Sequence, residues 1–272
     1  MFAVVFAILV IYTLSVSYVL FWTFYNSFKA RREFYGNMIA FPKKWLFSNY
    51  TQAFEKIEYN DTSFFGMFLN SAWYSLGMSV LGAFMSAVTG YIFAKYKFRG
   101  KEAAIGFILF TIIIPIVGSL PSFYNIVDRL RLRDSPLFLI TGLGGFGGNF
   151  LILYAFYKTV DWAYAEAAQI DGAGRLYIFF RIMLPFAAGP LFAVSILGFI
   201  AQWNNYETPL LFLDKLPTLS SGLYRFSVSA RFDGDHPTYL AGVLMSTVPV
   251  IALVSVFGNK IIKNMTIGGL KG

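Results

Sequence analysis

Long apolar runs separated by short polar segments organise the whole chain. The runs lie at about Phe2 to Phe24, Leu69 to Ala94, Ala103 to Tyr124, Leu137 to Tyr157, Phe186 to Tyr206 and Tyr239 to Ile262. Each is close to the roughly 20 residues an α-helix needs to cross a bilayer. The pattern predicts an all-α integral membrane protein with six spans. The first run has small residues at Ser15 and Ser17, as a cleavage site would. It lacks a basic segment in front, however, and stays apolar through Phe24, which favours a span over a signal peptide.

Composition agrees with the pattern. The chain has 272 residues, of which 57% are hydrophobic and 13% charged, and its apolar content exceeds what a soluble core requires. We expect one transmembrane domain over residues 1–272. A formal charge of +8 is compatible with nucleic-acid binding, but the Lys and Arg residues sit in short loops at the ends of apolar runs, where they anchor in headgroups. The expectation is therefore a lipid environment and no nucleic acid.

Absent residue types exclude several chemistries. The chain has no cysteine and a single histidine, His236, which removes disulfides, thiolate metal sites and the HExxH motif. His236 lies in "DGDHPTYL" and reads as a solvated loop residue. The spans hold no paired carboxylates, Ser-His pair or metal cluster, so neither a catalytic nor a metal site is expected. They also hold almost no ionisable residue able to bind a coupling ion, which argues against a secondary transporter or channel. "GLGGFGGNF" lacks the Lys-Ser or Lys-Thr of a phosphate loop, and no such loop occurs elsewhere. Any ATP used must bind another subunit. Gly82, Ser86 and Gly90, and likewise Gly144 and Gly148, read as small-residue packing seams.

Six spans place both termini on one side. The Lys and Arg residues divide almost evenly between the two loop sets, and the dense Lys95 to Lys101 cluster mildly favours a cytoplasmic position for its own loop.

The segment "EAAQIDGAGRLYIFFRIMLP", Glu166 to Pro185, interrupts two apolar runs. Its alanines, glutamate and glutamine favour a helix and Gly172 and Gly174 break one. We expect a short helix from about Ala163 to Asp171, a turn, and a second helix ending at Pro185. Ala163, Ala167 and Ala168 would let a partner approach closely, and Glu166 offers a carboxylate to an Arg or Lys there. An interfacial amphipathic helix is the other reading, with Arg175 and Arg181 at headgroups and Tyr177, Phe179 and Phe180 in lipid. It suits the second half. The alanines of the first half supply too little apolar area for it.

These residues fill the pattern E-A-A-x3-G-x9-I-x-L-P through Glu166, Ala167, Ala168, Gly172, Ile182, Leu184 and Pro185. In this the chain resembles the permease subunits of binding-protein-dependent ABC importers. "FPKKWLFSNYTQAF", "NSAWYS", "YIFAKYKFRGK", "RLRDSP", "QWNNYETPLLF" and the terminal "GGLKG" are similar to the carbohydrate-uptake, maltose-type subfamily and its MalG-like permeases, nearly end to end. One departure is that such subunits begin with a short basic segment, whereas this chain starts directly at Met1 and Phe2, as a truncated start would.

The resemblance implies the six-helix type I importer permease fold with a cytoplasmic coupling helix in a loop of about 158–185. Glu166, Ala167, Ala168, Asp171, Gly172, Ala173, Gly174 and Pro185 would be its coupling residues. It implies a bacterial or archaeal cytoplasmic membrane, with both termini cytoplasmic. The implied partners are a second homologous permease, two ABC ATPase subunits that carry the ATP and Mg, and an extracytoplasmic solute-binding protein. The expected solute is a sugar or oligosaccharide, with an amino acid, peptide or anion as the alternative.

Polar residues inside or beside spans are costly and tend to face a pathway, which singles out Asn70, Ser71, Ser119, Ser122, Gln202, Asn204 and Asn205. Trp203 and Tyr206 beside the last three would offer sugar-binding faces. Both aromatic types also serve as anchors at membrane interfaces. The segment from Glu207 to Pro237 is polar and long enough to touch the binding protein, although an ordinary solvated loop fits it equally.

Overall fold

The computed structural model describes residues 2–114 and 118–266, the last six of these as backbone only. The "GGLKG" terminus and Lys271 lie outside the described residues, as does the side chain of Lys263. The elements of the described residues are helices: α1 Phe2–Ser27, α2 Arg31–Gly36, α3 Ser48–Lys56, α4 Phe64–Lys95, α5 Lys101–Ile113, α6 Leu120–Arg129, a 3₁₀ segment Pro136–Leu143, α7 Gly148–Thr159, α8 Ala163–Ile170, α9 Arg175–Ile178, a π segment Phe179–Met183, α10 Leu184–Phe186, α11 Ala188–Asn204, α12 Glu207–Phe212, α13 Leu219–Asp233 and α14 His236–Thr266.

Three of these, α1, α4 and α14, are long and apolar enough to cross a bilayer, and two bent pairs bring the number to five. The pairs are the 3₁₀ segment with α7, bent by 53°, and Arg175–Phe186 with α11, bent by 74°. The sequence pattern suggested straight runs at both places. The third expected span, Ala103 to Tyr124, is not one continuous described helix: α5 stops at Ile113, residues 115–117 lie outside the description, and α6 restarts at Leu120 with Pro121 in its first turn. Proline is tolerated at such a helix start but not in the interior.

The chain divides into two compact units, Met1–Ser71 with Tyr206–Ile251, and Ala72–Asn205 with Ala252–Gly272. In the first, α1 is apolar on all sides and buries only Tyr25, Asn26 and Ser27 at its end, as suits a helix solvated by lipid. The chain beyond it is locked by side-chain-to-backbone bonds. Asn49 Nδ2 donates to the carbonyls of Ser27 at 2.7 Å and Lys29 at 2.9 Å, and Lys29 Nζ donates to the Asn37 carbonyl at 2.8 Å. Lys29 is fully buried, and desolvation holds its pKa below the ordinary lysine value.

The segment from Glu207 to Pro237 is ordered structure, not a solvated loop. It contains α12 and α13, and α13 opens with a capping box between Thr218 and Ser221. Leu219 and Leu223 are buried, and a side chain at Gly222 would overlap Met67. His236 likewise departs from expectation. It sits in the first turn of α14, stacked on Phe34 at 5.6 Å, with Nδ1 2.7 Å from the Tyr35 hydroxyl. Next to it the buried Asp235 pairs with Arg31 and lies 3.7 Å from Lys56. Hydrophobic periodicity registers neither ring stacking nor ion pairing, so the polar spelling of this segment concealed its packing.

In the second unit, Ala83, Ala87 and Tyr91 of α4, Leu153 and Tyr157 of α7, Ala165 of α8 and Val194 of α11 join one core. The expected seams hold in part. A side chain at Gly90 would stand 3.0 Å from the Tyr154 nitrogen and one at Gly82 would stand 3.3 Å from the Gly142 carbonyl, so both sites need glycine for close approach. Gly144 and Gly148 meet nothing within 4 Å, and the contact is made by Gly145 against Thr89 and Met85.

Candidate functional site

The segment from Asp161 to Pro185 is built from local chemistry. Asp161 Oδ1 accepts from the Ala163 nitrogen at 3.0 Å and so starts α8. The helix ends in a Schellman motif. The Ala173 nitrogen donates to the Ala168 carbonyl at 2.9 Å, the Gly172 nitrogen donates to that of Gln169 at 3.0 Å, and Gly172 takes φ +81°. A left-handed residue here favours glycine, and the sequence supplies one.

The eight residues of α8 have two faces. Ala165 is fully buried, and Ala168 packs against the core with Trp162 and Ala173. Ala163, Glu166, Ala167 and Ile170 are exposed at spacings of three, four and seven, the signature of one helix face. Ala168 is half-buried, packing against the core while bordering the open side of the loop, whereas Ala163 and Ala167 are exposed. Ile170 was not singled out from sequence, yet it is 86% exposed, and its place four residues after Glu166 was the available signal. Among the described residues Glu166 has no ion-pair partner. Ala168, Asp171, Gly172, Ala173, Gly174, Tyr177 and Arg181 border an open concavity of about 540 Å³.

The second helix does not end at Pro185. It starts as α9 behind Gly174, widens into the π segment, passes through Pro185 within α10 and turns at Ala187. The Leu184 nitrogen donates to the Phe179 carbonyl, five residues back. Such widening just before a residue without an N–H is a known way for a helix to change direction.

The loop is fastened to α4. Lys95 Nζ donates to the Val160 carbonyl, Tyr96 meets Trp162 edge-on at 6.0 Å, and Tyr91 packs on Phe179 at 5.2 Å. The segment around α8 is thus tied to the end of α4 by a carbonyl bond and packed rings.

The expected pathway residues are dispersed. In the first unit, Asn70 Nδ2 donates to the Pro217 carbonyl at 3.0 Å and Ser71 Oγ accepts from the Leu219 nitrogen at 2.7 Å, so both hold the start of α13. Tyr206, in the same unit, stacks on Tyr224 at 4.5 Å. In the second unit, Ser119 and Ser122 are exposed at the start of α6. Gln202 Oε1 accepts from the Tyr74 hydroxyl at 3.1 Å and from Asn205 Nδ2 at 3.3 Å, while Asn204 Nδ2 donates to the Ile200 carbonyl at 2.9 Å. Trp203 is buried and stacked on Phe199 at 5.5 Å, so its face is not free for a sugar. Among the described residues no three His, Asp or Glu side chains gather as a metal site.

The described chain is helical and membrane-like, with the exposed α8 standing between two apolar elements. Residues 80–263 match the family of binding-protein-dependent transport system inner membrane components, and the chain belongs to that family. It is a multi-pass membrane permease subunit, and membership implies ATPase and binding-protein partners. The chain is 27% identical over 267 residues to the diacetylchitobiose uptake system permease protein of Streptomyces coelicolor, covering 96% of this chain and 86% of that protein. It is 30% identical over 209 residues to the arabinooligosaccharides transport system permease protein of Halalkalibacterium halodurans, covering 75% and 74%. In fold it resembles a chain in the crystal structure of a bacterial ABC transporter involved in the import of the acidic polysaccharide alginate. That match has TM-score 0.77 and 23% identity and covers 95% of both chains.

Proposed function

We propose that this permease carries a sugar or oligosaccharide, delivered by an extracytoplasmic solute-binding protein, and that Ala163, Glu166, Ala167 and Ile170 form the face its ATPase engages. The observation that carries the coupling reading is the two-sided α8, with its inner face packed into the core and its outer face exposed around a carboxylate that has no ion-pair partner among the described residues. The carbohydrate reading rests on relatives named for diacetylchitobiose, arabinooligosaccharides and trehalose.

In this reading the chain is one transmembrane domain with six spans, α5 and α6 completing the sixth, and both termini are cytoplasmic. It pairs with a second homologous permease over two ATPase subunits, which bind the ATP and Mg. ATP closes the ATPase dimer, α8 moves with it, and α4 follows through Lys95, Tyr91 and Tyr96, opening the cavity between the permeases outward. Hydrolysis returns it inward. The energetic requirement is differential, because the ATPase must bind the outward-facing arrangement more tightly than the inward-facing one.

The test is ATP hydrolysis by the purified complex with its binding protein and a panel of mono- and oligosaccharides. Stimulation by one sugar supports both parts of the reading. Copurification of an ATPase and second permease with stimulation by an amino acid, peptide or anion instead would retain the coupling face and overturn the carbohydrate assignment.

A further inference from the structure

At the end of α4 the surface passes from apolar to cationic within about one turn, and a groove of about 320 Å³ opens there. Its apolar walls are Val88 and Ile92 on α4 and Leu176 and Phe179 opposite, with Tyr96 and Arg175 completing it. Ile92 and Leu176 are exposed at its rim, while Phe179 and Tyr91, which belong to the core, form its floor.

Among the described residues the cations beside it have no carboxylate partner. The Arg175 guanidinium lies over the Tyr96 ring at 5.9 Å, and among the described residues no carboxylate pairs with it. Lys97 and Arg99, which follow Tyr96 directly, are exposed and equally without an ion pair. Because α4 is long and apolar enough to cross a bilayer and ends at Lys95, the groove stands where a candidate span passes into a polar, basic segment.

A ligand matching both features needs an apolar tail and an anionic head. We propose that this groove is a specific site for an anionic phospholipid, with one acyl chain against Val88, Ile92, Leu176 and Phe179 and the phosphodiester held by Arg175. A planar guanidinium suits that geometry, since it can donate two parallel bonds to a phosphate, and the neighbouring Lys97 and Arg99 favour net negative charge over a zwitterion. A sugar would require many hydrogen-bonding groups, which these walls do not provide. The site shares no residue with the proposed ATPase-facing set Ala163, Glu166, Ala167 and Ile170.

The test is native mass spectrometry of the complex purified in mild detergent and titrated with phosphatidylglycerol or phosphatidylcholine. Phosphatidylglycerol should be retained preferentially. Arg175→Gln should reduce its retention about fivefold, the factor one basic side chain contributes near an anionic surface. Ile92→Trp, which fills the groove and leaves the cations in place, should reduce it as well. Equal retention of the two lipids by the wild-type complex would overturn the proposal without any variant. So would undiminished retention in Ile92→Trp, or displacement of the lipid by inorganic phosphate at matching concentration, either of which would mark the cations alone as an anion site.

Discussion

Two polar interruptions of the apolar pattern, Glu166 to Gly174 and Gln202 to Asn205, look alike in sequence and differ in structure. In the first, backbone groups satisfy each other through a Schellman turn, which leaves the Glu166 carboxylate and the Ile170 side chain facing outward. In the second, the polar side chains bond to neighbours within the chain and the aromatic one is buried on Phe199. A polar residue near a span therefore marks a site only when its hydrogen-bonding capacity is not already used.

The largest effect should come from Gly172→Pro. Proline fixes φ near −65° and lacks the N–H that donates to the Gln169 carbonyl, whereas Gly172 takes φ +81°. At a cost of about 3 kcal/mol or more, α8 loses its terminus. Sugar uptake should be abolished at wild-type membrane levels, and normal uptake would remove α8 from the coupling path. Trp203→Ala should act differently, through stability. Truncating a buried indole costs about 3–5 kcal/mol, so the purified subunit should melt at lower temperature. Were Trp203 instead a sugar platform, the melting temperature would hold and the KM for uptake would rise.

Glu166→Lys should have a smaller but selective effect. A hydrogen bond to a charged group is worth about 1.5–3 kcal/mol, so reversal of this exposed carboxylate should lower sugar-stimulated ATP hydrolysis roughly ten- to a hundredfold, leaving insertion and melting unchanged. Equal stimulation in this variant would separate Glu166 from ATPase contact and leave the face to Ile170 and the alanines.

What was legible follows from the range of the interactions involved. The short helix, its stop at Gly172 and the exposed Glu166 all depend on neighbours within a few residues, and composition encodes them directly. The bends at Ala187 and within 136–159, the turn through Pro185 and the packing of the segment after Glu207 were hidden because they depend on distant partners. Ser71 holding the Leu219 nitrogen and His236 stacked on Phe34 are examples. Ala168 is the instructive intermediate. Its helix was foreseen but its face was not, since sequence alone cannot say which side of an alanine-rich helix meets the chain's own core.

The smallest expected effect is the sharpest test of the second interruption. Asn204 is exposed, and its amide donates only to the Ile200 carbonyl one turn earlier in the same helix. That carbonyl is the normal acceptor of the helix's own backbone, so Asn204→Ala removes a redundant bond and replaces asparagine with a better helix former. The change in stability should stay within about 0.5 kcal/mol, and uptake should be unchanged at every sugar concentration. An increase in KM without loss of stability would show that the Asn204 amide leaves its local bond to meet the solute. It would also return the neighbouring Gln202 and Asn205 to the transport path.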